Sequence, residues 1–149
     1  MIDIAETLIA TVRDDASVKA LTGATDTDTR VYAYYEADAY VKTFEEYQAG
    51  AVEGPVMPAY LTMALLANPR AGMVAVQHPV FSFAIWARNL TDVEAIRDRL
   101  DALFHKKLLT TAASRLIRTK VVNENDSAQV QPNFRGRTLH VRAGYFENP

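Results

Sequence analysis

Residues 79–107 read PVFSFAIWARNLTDVEAIRDRLDALFHKK, and the fold turns on how this stretch divides. In its first half Phe81, Phe83, Ile85 and Ala87 fall on one face, and Val80, Ser82, Ala84 and Trp86 on the other. Period two with aromatic and β-branched content predicts a strand. In the second half the period becomes helical. Val93, Ile96, Leu100, Leu103 and Phe104 share one side, and Arg97, Asp98, Arg99 and Asp101 lie mostly on the solvated side. Thr91 followed by Glu94 has the form of a capping box: the hydroxyl accepts from the Glu94 N–H, and the carboxylate accepts from the Thr91 N–H. Leu90 stands where a hydrophobic staple would. The stretch predicts a strand leading into an amphipathic helix and names no chemistry.

The whole chain, 149 residues with 49% hydrophobic and 23% charged side chains, has the composition of one soluble globular domain. Such a domain buries roughly 70% of its unfolded surface. The absence of cysteine excludes a disulfide framework, thiolate metal ligands and a cysteine nucleophile. The first ten residues, MIDIAETLIA, are acidic where a signal peptide is basic, so export by that route is not expected. Two long uncharged runs, 54–69 and 71–87, are interrupted by proline, Gln77 and His78 and have strand character, which argues against membrane spans. The net charge of −2 conceals an asymmetry: residues 1–60 carry eleven acidic and four basic side chains, and residues 61–149 seven and twelve. Two surfaces of opposite bias can complement each other between copies of a chain. Neither half is basic enough to make nucleic acid the main partner.

Taken in order, Asp3 is placed to cap a first helix whose buried stripe is Ile4, Leu8, Val12 and Ile9. Asp14-Asp15 breaks it, a short helix follows over 17–21, and Gly23 suits a left-handed C′ position. Asp26 and Asp28 have the spacing of early calcium-loop ligands. Arg30 and Val31 then occupy the places of a third oxygen ligand and the glycine, and Ala37 that of the closing glutamate, so the segment reads as a solvated loop. VYAYY (31–35) is a strand. Residues 36–57 form a long aperiodic segment, which at about 22 residues exceeds the usual ~12–15 for a structureless loop in a compact domain. Its Tyr40, Phe44, Tyr47 and Met57 make it a candidate arm reaching a neighbouring molecule. A second strand covers 59–67. NPRAG (68–72) is a turn, and a third strand starting between 74 and 79 runs to Ala87 and pairs antiparallel with the second. RLIRTKVV (115–122) and RTLHVRAGY (137–145) are the last strands, joined by a loop spanning about 123–135.

The expected architecture is α+β: a mostly antiparallel sheet of four to five strands, with an N-terminal helix and one long central helix packed on one face, in a single domain over 1–149. The helix-covered face receives Phe81, Phe83, Ile85, Ile117, Val121, Leu139 and Val141. The other receives Val80, Ala84 and Trp86, with Arg118, Lys120, His140 and Arg142 from the last strands. Exposing Trp86 there would waste about 150–250 Å² of contact. Cover by the 36–57 segment or by a second subunit is therefore expected.

Catalytic signals are weak. His78, His105 and His140 have no metal-ligand spacing, and no G-x-S-x-G, Walker or G-x-G-x-x-G motif is present. His105 near the end of the central helix suits the helix dipole. Arg135-Gly136-Arg137 could touch an anion but reads first as a solvated loop entering a strand. No catalytic residue, metal ligand or cofactor is expected.

The order of elements resembles the tail terminator or tail completion proteins of long-tailed bacteriophages and the related tail-to-head joining proteins. The resemblance rests on a helix ending near Leu21-Thr22-Gly23, the Arg30-Val31-Tyr32 strand and a proline-led strand at Pro58-Ala59-Tyr60-Leu61. It is completed by FSFAIWARNLTDVEAIRDRLDALF (81–104) and a closing antiparallel pair. It implies a non-enzymatic virion protein, made in the host cytoplasm, that forms a homo-oligomeric ring, usually a hexamer, at the head-proximal end of the tail. Its partners would be the tail tube protein and the head-tail connector, with DNA only passing through the lumen and no membrane. Candidate interface residues are Tyr40, Phe44, Tyr47, Met57, Trp86, Arg118, Lys120, Arg135, Arg137 and Arg142. The competing expectations are a monomeric enzymatic or small-ligand module with a pocket on the Trp86 face beside His140 and Arg142, and a nucleic-acid binder using Arg118, Lys120, Arg135, Arg137 and Arg142.

Overall fold

The computed structural model describes residues 2–26, 28–36, 59–67, 76–126 and 135–146. Two helices open the chain, α1 (Ile2–Arg13) and α2 (Ala16–Thr22). After them come β1 (Val31–Ala33), β2 (Ala59–Ala67), β3 (Val76–Gln77) and β4 (Val80–Ala87). The remaining elements are α3 (Leu90–Phe104), β5 (Lys107–Thr110), β6 (Leu116–Asp126) and β7 (Arg135–Phe146). The seven strands form one sheet in the order β1-β2-β4-β7-β6-β5, with β3 paired to β7. All pairs are antiparallel except β1 with β2. The α+β class holds, but the sheet is larger than four to five strands and is mixed. The extra strands are short: β3 has two residues and β5 four, too few to show a period.

Pro79 explains why the expected third strand is divided. It has no N–H for the ladder, so β3 and β4 separate around it, while its carbonyl still accepts from the Ala143 N–H at 2.9 Å. β4 and β2 pair as expected, with Tyr60 opposite Trp86 and Met63 opposite Phe83. The β1 strand is shorter than 31–35 because Tyr34 and Tyr35 turn away to Glu36, whose carboxylate accepts from the Ala33 N–H at 2.7 Å. Arg13 fixes this turn to α1, donating to the Val31 carbonyl at 2.7 Å and to Glu36 at 2.6 Å.

The predicted facial assignment holds. Phe81, Phe83, Ile85, Ile117, Leu139 and Val141 are fully buried together with Ile4, Leu8 and Val12 of α1 and Ile96, Leu100 and Phe104 of α3. Val121 packs partly buried against this cluster. Phe83 and Phe104 stack with centroids 5.3 Å apart, joining strand to helix within the stretch that decides the fold. Asp15 caps α2 through the Val18 N–H, and Gly23 closes it at φ 68°.

Two caps differ from expectation. α1 begins at Ile2, so Asp3 lies inside its first turn and meets Arg115 at 3.5 Å. The cap of α3 is Asn89, whose side-chain oxygen accepts from the Asp92 N–H at 2.8 Å. Thr91 is therefore already helical, and Glu94 pairs with Arg137 on the facing strand β7 instead of closing a capping box. The long loop expected at 123–135 also starts late, since β6 continues to Asp126 and Arg135 already belongs to β7.

Candidate interaction face

All the buried helical residues contact one side of the sheet, and the alternation of β2, β4, β6 and β7 sends the remaining side chains to the other. This open face has two ends. At one, Tyr60 and Trp86 form a separate buried cluster with Tyr32 and Ala84 against it. The Tyr60 and Trp86 rings stack at 6.5 Å, Tyr32 lies 6.4 Å from Tyr60, and the Tyr32 hydroxyl donates to Asp28 at 2.8 Å. Trp86 is only 7% exposed, and a strand neighbour supplies part of the cover expected from an arm or a second subunit.

At the other end lies a groove of about 460 Å³. Arg118 and Lys120 enter it from β6, Arg142 from β7, Lys106 and Lys107 from the turn into β5, and His78 from the break between β3 and β4. Among the described residues its walls carry no carboxylate. Lys106 adopts a left-handed backbone at φ 55°, which reverses the chain from α3 into β5 and brings both lysines to the rim. Gly144 lines the opposite wall, where a Cβ would stand 3.0 Å from His78 Nδ1 and the imidazole would have to give by a few tenths of an ångström. Lys120 is directly opposite Arg142 across the β6–β7 ladder.

The structure thus brings together Arg118, Lys120 and Arg142, and places Trp86 at the far end of the same face. Arg137 is on the helix side, bound to Glu94 and, at 3.3 Å each, to Glu124 and Asp126. Arg135, two residues earlier on β7, shares that side and is exposed at the strand end. Tyr40, Phe44, Tyr47 and Met57 lie outside the described residues, as does the whole expected arm of 36–57 beyond Glu36. Lys106, Lys107 and His78 were not singled out as site residues by the sequence. The lysine pair closing the HKK tripeptide was the available signal.

A bulge between Val121 and Asn123 explains how acidic residues leave the open face. It shifts the alternation by one, so Glu124 comes to the helix side. There Glu124 accepts from Arg97 at 2.8 Å and 3.0 Å, and these bonds hold its carboxyl below the ordinary value of 4.5. Asp15 is likewise held below 3.8, first by hydrogen bonds from Arg99. Among the described residues no three His, Asp or Glu side chains gather as a metal site, and no helix is long and apolar enough to cross a membrane.

The class defined by this geometry is an α+β protein with three helices on one side of a mixed sheet and an open, partly cationic other side. No protein-family model and no curated protein matches the chain. Among solved structures, a chain of the virion of a native gene transfer agent (GTA) particle is similar. It has a TM-score of 0.63 and 16% identity, covering 95% of this chain and 92% of that one. At that identity the likeness is one of fold. A second solved chain matches over 77% of this chain and 99% of its own at a TM-score of 0.44 and 15% identity, too distant in shape to carry an argument.

Proposed function

We propose that this chain is a structural, non-catalytic protein of a virion. In this reading it forms a ring, usually of six copies, at the head-proximal end of a tail tube, where it ends tube polymerisation and offers a surface to the head connector. The observation that carries the reading is the shared fold, nearly end to end in both chains, with a chain of a virion particle. The order of elements, which resembles tail terminator proteins, supports the finer role. The open sheet face and the opposite charge bias of the two parts of the chain supply different patches, as a head-to-tail ring contact requires.

Electron microscopy of the protein alone and with its tube protein tests this. Six-fold rings, and tubes that stop growing when the protein is added, are expected. Tubes that lengthen unchanged and carry no cap would overturn the role. The cationic groove beside Arg142 favours a second reading, a monomeric module binding a small anion. A solution mass of one copy together with saturable binding of a small anion would select it.

A further inference from the structure

The groove gathers cations that the fold does not use. Arg13, Arg30, Arg97, Arg99, Arg115 and Arg137 each meet a carboxylate within the chain. Lys106, Lys107, Arg118, Lys120 and Arg142 have no polar side-chain partner among the described residues, and all five line the same groove. Outside it, only Lys19 and Arg135 are in that condition among the described lysines and arginines. The fold tolerates two unfavourable features here. Lys120 and Arg142 are like charges directly opposite in a ladder, an arrangement that destabilises a sheet. Lys106 holds a left-handed conformation in which glycine would be unstrained. Local costs without local compensation point to an interaction made elsewhere.

The chemistry selects a carboxylate-bearing protein surface over nucleic acid. The net charge of −2 gives no long-range attraction for DNA. Of the aromatic rings on this face, Tyr60 and Trp86 are buried, at 3% and 7% exposed, and Tyr32 is half-buried; Phe146 at the end of β7 is exposed, and a single ring is too little to stack successive bases. The chain itself presents what the groove lacks. Glu6, Asp14 and Asp26 are exposed and form no ion pair among the described residues. Glu6 and Asp14 stand two helical turns apart along α1 and its end, about 12 Å, with the Asp14 N–H still bonded to the Ala10 carbonyl. The α1 layer and the groove lie on opposite sides of the sheet, so contact between them is head-to-tail and propagates from copy to copy.

We propose that the groove receives the carboxylates of a second copy of this chain, presented by its helical layer at Glu6 and Asp14. The inference rests on the ring reading, for which it names the two contacting patches.

The test uses two charge-reversed proteins, R118E/K120E/R142E in the groove, which leaves two cations against three carboxylates there, and E6K/D14K on the helical layer. All five positions are outside the buried core, and circular dichroism and thermal unfolding check that both variants fold. Sedimentation should show each variant alone associating roughly 100-fold or more weakly than the parent, since each then opposes like charges. An equimolar mixture should recover association, because every contact again joins a cationic to an anionic patch. Zero-length carbodiimide coupling of mixed ¹⁵N-labelled and unlabelled parent protein should join Lys106, Lys107 or Lys120 of one copy to Glu6 or Asp14 of another. Rings that persist in both variants would overturn the inference and leave the ring reading intact. A parent protein that stays monomeric and gives no intermolecular coupling would overturn it as well, and tube capping would then decide the ring reading separately. Duplex DNA binding lost in R118E/K120E/R142E while self-association stays intact would assign the groove to nucleic acid instead.

Discussion

On the helix-bearing side of the sheet, Arg97 and Arg137 converge on Glu124. On the open side, Arg118, Lys120 and Arg142 meet no carboxylate among the described residues. Both groups come from the same small set of elements, so composition does not separate them. The bulge before Asn123 does: it delivers Glu124 to the side where the arginines of α3 and β7 can use it. Charges on the helix side tie helix to sheet, and those on the open side have no polar side-chain partner among the described residues. The apolar groups differ in the same way. The helix side buries one continuous core, whereas the open side buries a small aromatic cluster at one end only.

The largest test of this contrast is to truncate one aromatic on each side. Phe83→Ala removes a fully buried ring stacked on Phe104 and is expected to cost about 3–5 kcal/mol, the range for such truncations. Trp86→Ala is expected near the lower end of that range, because its cluster is smaller. Urea unfolding of both variants measures this. A loss below about 1 kcal/mol for Trp86→Ala would make the aromatic end of the open face as dispensable to the subunit as the groove.

The next effect comes from the carboxylates that serve the helix side. Asp15 caps α2 and binds Arg99, and Glu124 binds Arg97; both carboxyls are held below their ordinary values of 3.8 and 4.5. A depressed pKa contributes stability that is complete above the ordinary value and is lost as pH falls through it toward the folded value. Stability should therefore change little from pH 7 to pH 5 on account of these groups and decline below about pH 4.5. Asp15→Ala should remove about 1–2 kcal/mol at neutral pH and flatten the acid decline. An unchanged acid profile would show that other carboxylates govern it.

A smaller effect distinguishes the cap of α3. Asn89→Ala should cost about 1 kcal/mol, and Thr91→Ala less than about 0.5 kcal/mol, read from thermal unfolding. This pair also shows where the sequence was legible. The strand-to-helix unit, its faces and the pairing of 59–67 with the following strand could all be read from period and turn chemistry. Thr91 and Glu94 satisfied a local motif equally well, but Glu94 is taken by Arg137, more than forty residues away, and no local rule weighs that contact. The groove divides similarly. Alternation placed Arg118, Lys120 and Arg142 on one face, whereas His78, Lys106 and Lys107 arrive through a proline break and a left-handed turn. The parallel partner of β1 and the short β3 and β5 were beyond reach because they are specified by neighbours in space.

The smallest expected effect on subunit stability belongs to the groove, and it decides the comparison. Arg142 is exposed, has no polar side-chain partner among the described residues and opposes Lys120. Arg142→Ala should therefore leave stability within about 0.5 kcal/mol of the parent, with the sign favouring the variant as a like-charge contact is removed. The gain should shrink as salt rises, since a Debye length falls from about 10 Å at 0.1 M to about 3 Å at 1 M. Urea midpoints for parent and variant at low and high salt, measured at concentrations where both are monomeric, give the answer. A variant less stable by more than about 1 kcal/mol would mean that Arg142 supports its own subunit. The open-face cations would then belong with Arg97 and Arg137 as internal ties, and the contrast between the two faces would fail.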